Sequence, residues 1–304
     1  MIDFRKTFRN VLGRNPYGRR TSLFRMIRKL VYFGYASFEL SIVLMLPASL
    51  LRLLISEKYN VDVFVIGVQK SGTTWLHREI SKVTGVHTPV QKECHHFDLG
   101  RLLSLYHYFK RIKTQEKNQL IVEIEPDYGT LNTWRIKVIK KLFPKAKIIV
   151  FLRDPIMRSW SAAKMEVAFV NDRAVTDVKY EQLSEYLRSR RCKKHSNYNE
   201  ILNKWISVYG RSSVHIYSNT NLLSHPDYCI PNILSTAGYD VEQRLGETKF
   251  DKQAQFQGDP LKIKDDDLLY LEQNFKGYGS LLLKLYGDRV DSHSVVDIRN
   301  WHFG

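Results

Sequence analysis

Apolar residues recur along this chain in two alternating rhythms. The short runs 61–66, 120–124, 147–152 and 214–217 are apolar at most successive positions and read as buried strands. Between them, apolar positions return every three or four residues, the spacing of one helix face. The predicted helices are 73–83, with Leu76, Ile80 and Val83 in line and Gly85 placed to stop it, and 131–143, with Trp134, Val138 and Leu142 on one face and Lys137, Lys140 and Lys141 opposite. A third, 155–170, opens on Pro155 and buries Ile156, Trp160, Ala163 and Val167. Further ones contain Ile201, Leu202, Trp205 and Ile206, or run from 265 to 275 with acidic residues at the start. Strands alternating with helices predict an α/β domain, a P-loop-like parallel β-sheet flanked by helices, with 147–152 at its middle because it is apolar on both faces.

The first strand breaks into Gly67-Val68-Gln69-Lys70-Ser71-Gly72-Thr73-Thr74-Trp75. A strand, a tight turn and a helix N-terminus aim backbone N–H groups at one point, where the helix dipole adds partial positive charge and Lys70 a full one. Gly67 and Gly72 keep the spacing of the nucleoside-triphosphate loop, but Lys70 lies two residues before the second glycine instead of directly after it. That shift predicts a cradle for a shorter anion chain, a phosphate or sulfonate. Arg153-Asp154-Pro155 ends the 147–152 strand, and Ser161 follows two turns into the next helix. Ligands of parallel sheets bind outside the carboxyl ends of the strands, so Arg153 and Ser161 are expected to hold a second anion near the first. A rival reading makes Asp154 the magnesium-binding acid of a P-loop kinase or nucleotidase acting at a membrane.

With both motifs placed, residues 61–287 resemble the sulfotransferases that use 3′-phosphoadenosine-5′-phosphosulfate (PAPS), in particular the carbohydrate branch containing the heparan sulfate 3-O-sulfotransferases and their bacterial relatives. Gln69 to Thr74 are similar to that family's 5′-phosphosulfate loop, and Arg153 through Ser161 to its 3′-phosphate motif. Lys92-Glu93-Cys94-His95-His96-Phe97-Asp98 resembles its Lys-Glu-x-His-Phe-Phe-Asp segment. The resemblance implies PAPS as co-substrate, PAP as product and no required metal. It implies donor binding by Lys70, Ser71, Gly72, Thr73, Thr74, Trp75, Arg153 and Ser161, with Lys70 also acting on the leaving oxygen. Glu93 is the implied general base, with His95 and His96 as alternatives. Ile124 stands where the family often has a substrate-side lysine, His96 replaces a phenylalanine, and the Ser-Lys-Gly-Arg segment of the heparan enzymes is missing. Glycosaminoglycan specificity is therefore left open, and the expected acceptor is a hydroxyl of a carbohydrate or glycolipid.

Charge changes the picture at one end only. Of the formal +16, half lies in residues 1–29, where nine Lys and Arg face Asp3 alone. This uneven distribution argues against a nucleic-acid partner. The apolar segment 30–55 follows, and a basic flank beside such a segment suits anionic lipid headgroups. Residues 1–56 are expected to form a membrane-associating helical segment and 57–304 the catalytic domain. Glu39, Pro47 and Arg52 interrupt the apolar run, so an interfacial or re-entrant anchor, a true span and a helix packed on the protein's own core all stay open. The expected location is the cytoplasmic face of a bacterial membrane, or the Golgi as a type II protein. Cys94, Cys192 and Cys229 lack CxxC spacing, which disfavours zinc, although Cys192 and Cys229 could pair in an oxidising lumen. Basic clusters at Lys110, Arg111 and Lys113, and at Arg188, Arg190, Arg191, Lys193 and Lys194, could hold an anionic glycan or simply face solvent. Nothing in the pattern sets an oligomeric state.

Overall fold

The computed structural model describes residues 45–47, 59–90, 92–98, 105–114, 119–171, 177–244, 248–251 and 261–301. The expected membrane segment, residues 1–56, lies outside the described residues except for 45–47. Among the described residues no helix is long and apolar enough to cross a membrane.

Five strands, β1 (Val63–Val65), β2 (Val86–His87), β3 (Leu120–Ile124), β4 (Lys147–Leu152) and β5 (Val214–Ser218), form one sheet in the order β2-β3-β1-β4-β5. Every neighbouring pair is parallel. The middle strand is β1; β4, expected there, lies one place toward β5, paired on both sides. A three-residue strand can be central because its neighbours continue it: the Ile66 and Val68 amides donate to Ile149 and Phe151 carbonyls at 3.0 and 2.8 Å. The first helices along the chain are α1 (Thr73–Ile80), α2 (Leu105–Ile112), α3 (Thr133–Leu142) and α4 (Pro155–Asn171). They are followed by α5 (Tyr180–Arg188), α6 (Arg190–Ser196) and α7 (Tyr198–Tyr209), then by shorter helices to Arg299.

Alternation along β1 divides the core. Phe64 faces one layer, with Ile148, Val150, Trp205 of α7 and Ile136 and Ile139 of α3. Val63 and Val65 face the other, with Ile149, Phe151 and Trp75, Leu76 and Ile80 of α1. A third cluster packs Ile156, Trp160, Ala163 and Val167 of α4, the predicted stripe, against Leu183 and Leu187 of α5. Trp134 departs from prediction: it is 43% exposed, because the face that α3 turns inward is Ile136, Val138, Ile139 and Leu142. Cys192 and Cys229 do not pair; both are free and buried in different clusters.

The sheet ends where the chemistry begins. Gly67 follows β1 with φ of 115°, and a Cβ there would lie 2.6 Å from the carbonyl oxygen of Pro126. Only a residue without a side chain lets the loop after β1 pass so close to the turn after β3. Gly67→Ala should therefore cost at least about 2 kcal/mol in urea unfolding. Gly287→Ala, at φ of −57° with nothing within 4 Å, should shift the midpoint little.

Candidate active site

The loop after β1 is closed from within. The Ser71 amide and hydroxyl both donate to the Val68 carbonyl, at 3.3 and 2.5 Å, and Ser71 is fully buried. Its side chain thus stitches the turn. Gly72, at φ of 90°, starts α1 with no side-chain cap and no acidic residue in the first turn. The leading amides of α1, with the exposed Thr74 hydroxyl beside them, form a positive, anion-seeking end. Thr73 and Trp75 are buried, so their contribution at this end is through the backbone.

Positive charge gathers around this end. Lys70 sits in the left-handed region at φ of 71°, and Arg153, leaving the end of β4, donates from its guanidinium to the Lys70 carbonyl at 2.9 Å. The two anion motifs are therefore in direct contact. Burial first, and then the neighbouring charges of Arg153, Lys92 and Lys164, hold the Lys70 pKa below the usual lysine range, against the opposing pull of Glu166. The Lys70 ammonium meets Met165 Sδ at 3.4 Å, and among the described residues neither Lys70 nor Arg153 has an ion-pair partner. Glu166, the nearby acid, accepts from Gln69 at 3.1 Å and Arg191 at 2.9 Å. Ser161 is half-buried on α4, one turn before Met165 and so on the face that meets Lys70. Asp154 accepts from the Ile156 and Met157 amides at 2.9 and 3.0 Å, which makes it the cap of α4.

Acids gather in the segments that follow β2 and β3. Residues 92–98 alternate: Cys94 and His96 point into the core, Glu93 and His95 outward, the latter two at φ of 64° and 49°. Lys92 pairs with Glu93, whose second oxygen lies 3.7 Å from His95 Nε2. His95 Nδ1 is 2.6 Å from Asp98, and the His95 amide donates to Glu125 at 2.9 Å. Glu125 is buried, and burial first, then Asp98, Glu123 and Glu93, push its pKa up to about 9. Asp127 is raised as well, by burial and then Asp98. Beneath them Glu123 is buried between the hydroxyls of Tyr108 and Tyr128, its pKa pushed up to about 7 chiefly by burial.

His96, an alternative base in the sequence reading, is 2% exposed, stacked on Tyr108 and edge-on to Phe97. Burial pushes its pKa down to about 3, so it is a neutral core ring filling the space of the expected phenylalanine. Ile124 lies buried in β3. Three members of the basic clusters are engaged within the protein: Arg188 pairs with Asp267, Arg191 with Glu166, and Arg111 donates to the Cys94 carbonyl at 3.0 Å. Lys164, Glu125 and Asp127 were not singled out in sequence. Lys164 could have been found from its helical spacing of three from Ser161, whereas the convergence of Glu125 and Asp127 on His95 appears only in three dimensions.

The model of the sulfotransferase domain family matches residues 60–259. No curated protein sequence matches the chain. Among solved structures it is similar to a sulfotransferase from Alicyclobacillus acidocaldarius, with TM-score 0.59 and 17% identity over 79% of this chain and 99% of that one. Weaker likenesses are to the sulfotransferase domain of the Synechococcus PCC 7002 olefin synthase (TM-score 0.43, 16% identity, 72% of this chain and 96% of that one) and to a mouse sulfotransferase complexed with PAP (0.39, 15%, 74% and 67%). The first structural likeness bears on fold alone, and the other two add no weight. Because the family model spans most of the chain, including the Lys70 loop, the 92–98 segment and the Arg153 helix, the protein belongs to the sulfotransferase domain family.

Proposed function

We propose that the chain transfers the sulfuryl group of PAPS to a hydroxyl of a carbohydrate or glycolipid acceptor. The observation that carries this reading is the contact of the Arg153 guanidinium with the Lys70 carbonyl, which sets two cationic positions without ion-pair partners side by side at the ends of β1 and β4. A nucleotide with phosphates at both ends suits such a pair. Lys70 and the first amides of α1 would hold its 5′ end, and Arg153 with Ser161 its 3′ phosphate. When bound, this donor supplies an activated sulfuryl group whose leaving oxygen belongs to a phosphate.

The protein's part is positioning and charge. Lys70 and the α1 terminus stabilise negative charge developing on the departing oxygen as the acceptor oxygen bonds to sulfur. Glu93 takes the hydroxyl proton, with its free oxygen directed toward His95 and its other oxygen anchored by Lys92. The acidic side chains behind it, Asp98 and Asp127, would disfavour a polyanionic glycan, so the proposed acceptor is a neutral or weakly charged sugar. We place the reaction at a membrane surface, on the strength of the basic tail and apolar run within residues 1–56.

PAP without magnesium should raise the melting temperature, by the equivalent of about 2.7 kcal/mol at a hundred times its Kd. ATP with magnesium should not, and Lys70→Ala should remove the PAP effect. Stabilisation by ATP with magnesium alone would favour the kinase reading. PAP affinity should weaken as pH rises through the depressed Lys70 pKa, because the anion binds the ammonium form. In Lys70→Arg, titrating calorimetry should find that decline moved to higher pH.

Transfer of labelled sulfate from PAPS into lipid and polysaccharide extracts is the direct assay. Glu93→Gln should slow it by about 10²-fold or more with PAP binding intact, and Lys70→Ala by about 10²–10³-fold. Label incorporation unchanged by both substitutions would remove the assignment.

A further inference from the structure

Four side chains on the acceptor side point at one another from two segments. His95 and Asp98 come from the loop after β2, and Glu125 and Asp127 from the turn after β3. One ligand atom from each lies within 4.8 Å of all the others. Ligands bound at about 2.0–2.3 Å to one ion are separated by no more than that. The imidazole nitrogen turned to the acids is Nδ1, 2.6 Å from Asp98 and 3.5 Å from Glu125 Oε1.

The second observation is a pair of buried oxygens without partners. Glu125 is 1% exposed, and its Oε1, turned into the cluster, has no hydrogen-bond partner. Asp127 Oδ1 is likewise solvent-inaccessible and without one. A buried carboxyl oxygen left in this state is costly whether the group is ionised or protonated. The cations close by do not relieve it: Arg135 donates to the backbone carbonyls of Phe97 and Asp98, and Arg191 to Glu166. These oxygens have no solvent-accessible surface, so an ammonium carried by a bulky substrate could not reach them. A bare ion at the centre could.

We propose that His95, Asp98, Glu125 and Asp127 bind one divalent first-row metal ion, with Mn2+ or Zn2+ best suited to three carboxylates and an imidazole. The ion lies apart from the donor cradle, and its binding does not depend on the reaction proposed above. By ligating Nδ1 it fixes the His95 ring with Nε2 toward Glu93, and by joining two segments it clamps the 92–98 loop to the end of β3. His95 is then a positioning residue for the base.

The test is titration of the chelator-treated full-length protein with Mn2+, following the electron paramagnetic resonance of the free ion. Saturable uptake of one equivalent is expected, weakened about tenfold or more in both Glu125→Gln and Asp127→Asn. Asp127 is 25% exposed, so its variant decides the matter if the fully buried Glu125 variant does not fold. PAP stabilisation, read on the same samples, should be unchanged in these variants and reports separately on the donor site. Uptake that never saturates, or tight uptake that survives Asp127→Asn, overturns the proposal.

Discussion

One hydrogen bond joins residues 83 positions apart and makes a single site of two motifs: the Arg153 guanidinium donating to the Lys70 carbonyl. It depends on backbone that is already held. The amides of Ile66 and Val68 continue the β1 ladder past the strand end onto β4, and the Phe151 amide returns a bond to the Gly67 carbonyl at 2.7 Å. The left-handed turn at Lys70 then points its carbonyl toward β4 and leaves its ammonium on the side of α4. A chain that closed this loop with a longer excursion would separate the two charges, and neither would serve a ligand gripped at both ends.

Like charges gather in two groups. Arg153, Lys92 and Lys164 press on Lys70, and Asp98 and Glu93 press on Glu125 and Asp127. Lys92 and Glu93 pair at the seam. Repulsion within each group is a cost of folding that an oppositely charged ligand relieves, so the free energy of binding is partly stored in the protein beforehand.

The parallel sheet and most of its main helices were legible because buried strands and amphipathic helices leave periodic traces. The 120–124 and 147–152 strands and the 265–275 helix keep their predicted limits. What failed was position rather than type. A strand apolar on both faces can be central or next to central, and only pairing decides, so β4 was placed one strand too far in. Trp134 misled because a large apolar side chain in the first turn of α3 can lie beyond the sheet edge, where Arg135 covers it at 5.1 Å. A helix such as α6 escapes such a reading because four of its seven residues, Arg190, Arg191, Lys193 and Lys194, are basic and leave almost no apolar stripe. For the site, spacing within one motif was readable. The convergence of Glu125 and Asp127 on His95 was not, because it depends on the path of the turn after β3 relative to a loop 30 residues away.

That loop shows how a strained segment can be held without regular structure. Cys94, His96 and Phe97 are buried at 3%, 2% and 1% exposure, with His96 stacked on Tyr108, whose hydroxyl in turn donates to Glu123. The residues between, Glu93 and His95, take the left-handed conformation, which costs a non-glycine residue about 1 kcal/mol or more. Inward anchors thus force the outward residues into strain, and burying three side chains outweighs it. Substituting a histidine for an aromatic hydrocarbon ring at 96 is tolerated because the imidazole is kept neutral and its role is packing. Glu93 and His95 are held by what lies beneath them, and the position of the proposed base is a property of the core.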